Sequence, residues 1–227
     1  LRSTIAGPGQ VRIVRGDLGD LTSVRGAAAE ILATCPSLDT LIHNAGALDA
    51  AYAETADGNE VTVAAHVLGP FLLTALLLDR LSASTPARVI TMSSGGMYTQ
   101  RLTVEGLRPR PEEYDGPAAY ARAKRAQVTL NELWAARAAD RGVVFHALHP
   151  GWVDTPGLAA SLPRFHWLMR PLLRDVDRGA DTACWLAADN GQPLVTSGLF
   201  WHDRRPRRIH RLGRTRDSDT PARREEL

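Results

Sequence analysis

Short apolar runs alternate with longer stretches of helical period along this chain. Val11 to Arg15 is a β-rich run ending at Gly16-Asp17, and Leu21 to Thr34 then follows a helical pattern. Leu38 to His43 reads as a strand closed by Asn44-Ala45-Gly46, and a long helix follows over Asn59 to Ser82. Arg88 to Ser93 is the clearest strand and leaves through Ser94-Gly95-Gly96. A loop rich in proline and charge, Thr99 to Pro117, leads to an Ala-rich helix over Ala118 to Arg141. Val143 to His149 is a strand stopped by Pro150-Gly151, Arg178 to Ala188 a helix, and Ser197 to His202 a last short strand. Strands that alternate with helices build βαβ units, so the fold class is α/β, with a parallel sheet covered by helices on both faces. Neither a repeat nor an interior linker divides residues 1–202, which read as one domain.

Composition sharpens this picture at its margins. The 227 residues suffice for one α/β domain with a sizeable core. The longest apolar run, Val67 to Leu78, is interrupted by Gly69, Pro70 and Thr74 and ends at Asp79. It reads as a buried helix, not a membrane span, and the start of the chain has no signal-peptide pattern. Cys35 and Cys184 are the two cysteines and lack metal-type spacing, so they read as core thiols in a reducing cytosol, with no metal site. Residues 203–227 hold nine Arg against five Asp or Glu and read as a flexible, solvated basic tail. Lacking interleaved aromatics, that tail argues no nucleic-acid site. The 26 Arg stand against a single Lys, Lys124, which suggests a place where a planar guanidinium will not serve.

In open α/β sheets, ligands sit beyond the carboxyl ends of the strands. The polar and glycine clusters fall at four such exits: Asp17, Asn44 to Gly46, Ser94 to Gly96, and Pro150-Gly151. Each alone is a strand ending in turn residues; four on one edge outline a site. Tyr120 and Lys124 lie one turn apart on the Ala-rich helix and share a face. A nearby ammonium is expected to lower the phenol's pKa and fit it for proton transfer. The other reading of the pair is an exposed helix contact. Ser94, past a buried strand, is placed to hydrogen-bond a carbonyl oxygen, or is a strand-end turn serine. No G-x-S-x-G elbow surrounds it, which argues against a hydrolase.

The ordered set Asp17-Leu18, His43-Asn44-Ala45-Gly46, RVITMSSGGM, YARAK and HPGWVDTPG resembles the short-chain dehydrogenase/reductase family up to about residue 203. Three stretches, SSGGM, HPGWVDTPG and GADTACWLA, point to one branch of it. The resemblance implies a Rossmann-like fold and an NAD- or NADP-dependent oxidoreductase that interconverts a carbonyl and an alcohol. It implies that Tyr120 is the general acid or base, that Ser94 hydrogen-bonds the substrate oxygen, and that Lys124 holds the nicotinamide ribose. Asp17 and Leu18 would flank the adenine, and Asn44, Ala45 and Gly46 would floor the cofactor. Pro150, Gly151, Val153 and Thr155 would orient the nicotinamide. The loop Thr99 to Pro117 and the stretch Trp152 to Met169, with Phe165 and Trp167, would cover an apolar carbonyl or alcohol substrate. The family's long helices often build oligomer interfaces, and oligomeric state is left open.

Two departures bear on activity. Three residues before Gly69, where the family carries an asparagine that supports a relay water, stands His66, a residue able to hold such a water and to titrate near neutrality. The family also opens with two strands and a G-x-x-x-G-x-G loop that cradles the pyrophosphate. Gly7-Pro8-Gly9 precedes a strand and does not match. The chain therefore reads as lacking the first two strands and the glycine-rich loop, and is expected to be unstable or to pair the Val11 and Leu38 strands directly. A catalytically silent nucleotide- or partner-binding protein is the alternative function.

Overall fold

The structure is a computed structural model that describes residues 9–161 and 163–227, with the backbone alone at Phe165. Gly7-Pro8 and the Phe165 side chain therefore lie outside the described residues.

Helix α1 (Leu21–Thr34) begins at Asp20, whose carboxylate accepts from the amides of Thr22 and Ser23. Strand β1 (Thr40–His43) follows. Helix α2 (Val61–Ala83) starts in the same way, with the Glu60 carboxylate taking the Thr62 and Val63 amides, and contains a π turn over Ala64–Leu68. Then come β2 (Ala87–Met92), α3 (Gly116–Arg137) and β3 (Val143–Leu148). Two short helices, α4 (Pro156–Ser161) and α5 (Pro163–Met169), precede α6 (Val176–Ala188) and α7 (Gln192–Val195). The chain closes with β4 (Leu199–His202), β5 (Arg205–Pro206), α8 (Gly213–Asp217) and α9 (Pro221–Glu226).

The sheet runs β1-β2-β3-β4-β5, with three parallel pairings and a final antiparallel one. Alternation along β2 assigns its two faces. Val89 packs with Phe145 under Ala28, Leu77 and Leu81 of α1 and α2. Ile90 packs on the other face with Leu148, Leu186 and Trp201. Fully burying each such side chain stabilises the fold by about 1.5–3 kcal/mol. The expected α/β sheet with helices on both faces is thus present.

Helix α2 is, by length and composition, apolar enough to cross a membrane, with mean hydropathy 2.1 over its richest window. Gly69, Pro70 and Thr74 do not break it. The complete burial of Leu77 and Leu81 makes it a core helix of this domain.

Three expectations are corrected. Val11 to Arg15 forms no strand; Ile13 is 64% exposed and the stretch pairs with no strand among the described residues. Nor does it join β1, whose only ladder among those residues is with β2. An isolated β-rich run has no partner for its backbone groups, and propensity alone does not hold it. Residues 203–227 are not a solvated tail. Buried Arg125 of α3 donates to the Ile209 carbonyl at 2.8 Å, and the Leu102 amide donates to Ser218 Oγ at 3.1 Å. Arg224 pairs with Asp219 at 2.5 Å and with Glu132 of α3 at 2.7 Å. Charges that composition assigns to solvent are used here in specific ion pairs. Finally, Cys184 is exposed, so it is not a core thiol; both cysteines are free.

Candidate active site

The end of β2 sets the geometry. Ser93, one residue past the strand, is buried and donates its hydroxyl to the Lys124 carbonyl at 2.9 Å, which pins α3 across the strand exits. Ser94 then turns the chain, its Oγ accepting from the Gly96 amide at 3.2 Å. At the start of α3, the Asp115 carboxylate caps the Ala118 amide at 2.7 Å. Tyr120 and Lys124, one turn apart, point into a cleft of about 680 Å³. Asn44, Gly46, Ser94, Pro150, Gly151, Val153 and Thr155 line the same cleft.

Lys124 is 3% exposed and donates its Nζ to the Met92 carbonyl at 2.8 Å. The ammonium lies 5.4 Å from the centre of the Tyr120 ring. Burial pulls its pKa down to about 7. Burial also raises the Tyr120 pKa, against a smaller opposing hydrogen bond with the Ser94 side chain. The expected lowering of the phenol by Lys124 is therefore corrected. The ammonium sits over the ring and is committed to a backbone carbonyl, and desolvation outweighs it. Near neutral pH the phenol keeps its proton.

His66 occupies the π turn of α2 and is 1% exposed. Its Nδ1 donates to the Thr62 carbonyl at 2.9 Å, and its Nε2 accepts from the Ala47 amide at 3.3 Å. Its own carbonyl accepts from Gln127 Nε2 at 2.6 Å. Burial first, and the Lys124 charge second, bring its pKa down to about 4. The expected titration near neutrality is corrected: this imidazole is neutral there. His66 stands behind the cleft, its ring edge-on to Tyr120 with centroids 5.4 Å apart. A Cβ at Gly46 would come within 2.8 Å of His66 Nε2, so glycine lets the floor close onto the imidazole.

Comparison with known proteins identifies the architecture. The profile described as short chain dehydrogenase matches residues 3–164. The chain belongs to the short-chain dehydrogenase family. It is 41% identical over 191 residues to bovine "Dehydrogenase/reductase SDR family member 12", covering 84% of this chain and 59% of that protein. That is the branch to which the three sequence stretches point. It is 36% identical over 197 residues to human "Retinol dehydrogenase 12", covering 86% and 61%. The chain thus spans about three fifths of the length of these relatives. Among solved structures, an uncharacterised protein from Mycobacterium paratuberculosis superposes with TM-score 0.66 at 32% identity, covering 85% of this chain and 62% of that one. A Burkholderia cenocepacia short chain dehydrogenase in complex with NADP shares the fold, with TM-score 0.63 at 21% identity, covering 82% and 72%.

Against this family frame, not every expected residue reaches the cleft. Asp17, Leu18 and Ala45 are not part of its lining. Asp17 is exposed and its Oδ1 accepts from the Gly19 amide at 2.8 Å, closing a turn. The Leu18 carbonyl packs against Gly69 of α2, where a Cβ would lie 2.2 Å away. Thr155 Oγ1 accepts from the Leu158 amide at 3.1 Å while facing the cleft. Trp152 lines the cleft, but Trp167 is 79% exposed and covers nothing there, because the turn of α5 carries it outward. Of the long loop, Thr99, Gln100, Asp115 and Pro117 reach the lining. Sequence reasoning missed Ser93, Gln127 and the Met92 carbonyl. The adjacent Ser93-Ser94 pair held a signal for the first: on alternating strand geometry, neighbouring serines face opposite ways. A backbone carbonyl carries none.

Proposed function

We propose that the cleft binds the nicotinamide end of NAD or NADP and interconverts an apolar carbonyl compound and its alcohol, with Tyr120 as the proton-transferring group. The observation that carries this reading is the convergence of Ser94, Tyr120 and Lys124 on one cleft at the strand exits. The residues present fit such a group. Lys124 is a buried hydrogen-bond donor held at the cleft wall, and Gly46 leaves a floor without a side chain. Lys124 and Asn44 would hold the ribose, and Pro150, Gly151, Val153 and Thr155 the ring and its carboxamide. The cofactor, when bound, supplies or accepts the hydride.

The chain's own residues supply orientation and the proton. Tyr120 keeps its proton at neutral pH because burial disfavours the phenolate, which suits donation to a carbonyl oxygen during reduction. Ser94, which lines the same cleft as Tyr120, offers a second donor to the same oxygen. Leu48, Trp152 and Leu158 give the cleft apolar walls, which favours an apolar substrate. The relative named for retinol supports that class.

A second reading, a nucleotide-binding protein without turnover, is favoured by His66, whose two ring nitrogens are both engaged and leave no position for a relay water. Tyr120→Phe separates the two. Carbonyl reduction should fall about 100- to 10,000-fold with cofactor affinity retained. Equal turnover by the variant contradicts the role of Tyr120, and cofactor binding without turnover by the parent chain selects the second reading.

A further inference from the structure

Four apolar side chains stand out from the surface within the stretch 167–176. Trp167 is 79% exposed, Leu172 74%, Leu168 69% and Val176 60%. Single exposed apolar residues are ordinary, whereas a cluster of large ones marks an interaction surface. Arg164, just before them, and Arg170, among them, are both exposed and make no ion pair among the described residues. The acidic Asp175 is taken up locally, capping the Arg178 amide at 2.7 Å and pairing with the Arg178 side chain at 3.6 Å; Asp177 is exposed.

Two contacts place this stretch in the molecule. Arg174 grips Asp203 through both terminal nitrogens, at 2.5 and 2.9 Å, which joins it to the β4–β5 hairpin, where Arg205, Arg207 and Arg208 are exposed. The Arg174 amide donates to the Trp152 carbonyl at 2.8 Å, and Trp152 lines the cleft. The apolar cluster is therefore bordered by arginines and abuts the cleft wall.

We propose that α5 and the turn after it dock on an anionic lipid bilayer, with Trp167, Leu168 and Leu172 entering the interface and Arg164 and Arg170 meeting lipid phosphates. Apolar residues beside arginines are the composition of a helix that lies in the interface plane, and tryptophan favours that depth. A second copy of this chain fits less well. A two-fold contact would set the same arginines against each other, and interface cores are depleted of charge. The docking surface does not rest on the proposed reaction. With both in place, the cleft wall at Trp152 lies beside the membrane, where apolar carbonyl compounds dissolve.

Sedimentation with vesicles of phosphatidylcholine alone, or of phosphatidylcholine with phosphatidylserine, tests this. The chain should sediment with the phosphatidylserine vesicles, more weakly with neutral ones, and release at high salt. Trp167→Ser/Leu168→Ser/Leu172→Ser should lose the binding. Arg164→Ala/Arg170→Ala, which keeps the apolar cluster, should weaken it about 30-fold. Unchanged melting temperatures would show both variants folded, and a variant that does not fold gives way to the other. The proposal is overturned if the chain ignores phosphatidylserine vesicles, if both folded variants bind like the parent, or if the cluster instead drives self-association without lipid.

Discussion

The two sides of the sheet differ in how much holds them. At the centre, β2 has a strand on each side, helices over both faces, and a serine bonded to α3 just beyond its end. At the β1 side, the strand pairs with β2 alone among the described residues, Ile42 is 43% exposed, and residues 9–16 run without regular structure. Candidate catalytic groups sit at the well-held centre. The residues expected near the adenine, Asp17 and Leu18, sit at the loosely held side, outside the cleft. Chemistry that needs sub-ångström placement belongs where packing is over-determined, while the β1 side depends on close backbone contacts such as Leu18 on Gly69.

The largest expected effect breaks the centre. Lys124→Met should lower turnover at least about 100-fold, and it should also change how stability depends on pH. The folded-state pKa of Lys124, about 7, lies below its ordinary 10.5. Between those values the unfolded chain binds a proton that the folded chain does not, so stability rises with pH across that window and is flat below it for this group. The gain from pH 7 to 10 is on the order of a few kcal/mol in the parent. Urea unfolding should show that gain shrink in Lys124→Met. An equal gain in both proteins would place the lysine in solvent.

Next comes the contact that secures the β1 side. Gly69→Ala would put a Cβ 2.2 Å from the Leu18 carbonyl, so the backbone must shift. Denaturant melts should show a loss of about 1–3 kcal/mol, with the spacing of Tyr120 and Lys124, and hence the residual chemistry, little altered. The smallest effect sharpens the difference. Ile13→Ser, at a position 64% exposed, should cost under about 0.5 kcal/mol. A loss of several times that would mean that Val11 to Arg15 is a packed strand after all.

Much of this contrast was legible in the sequence. The strands at Arg88 and Val143 are mostly apolar runs, broken only by Arg88, Thr91 and His146, and they fold as β2 and β3 because both faces are buried. The pair Tyr120 and Lys124 followed from helical spacing. Their electrostatics did not, because a pKa depends on burial and on where an ammonium is tied, and the Met92 carbonyl leaves no mark in composition. Val11 to Arg15 has strand propensity but pairs with no strand among the described residues. The terminal arginines suggest solvent, yet their partners Asp219 and Glu132 are specific and lie far apart in sequence. His66 was visible as a departure, but its neutral state comes from burial and its two ring bonds from the Thr62 carbonyl and the Ala47 amide, which no pattern announced.

Deuteride transfer tests the central claim most directly. The chain is incubated with reduced nicotinamide cofactor carrying deuterium at both C4 positions and an apolar aldehyde, beside Tyr120→Phe. Mass spectrometry of the alcohol should find one deuterium on the former carbonyl carbon with the parent chain, and almost no alcohol with the variant. Alcohol without deuterium, or equal amounts from both proteins, would contradict the assignment of this cleft to hydride transfer with Tyr120 as its acid.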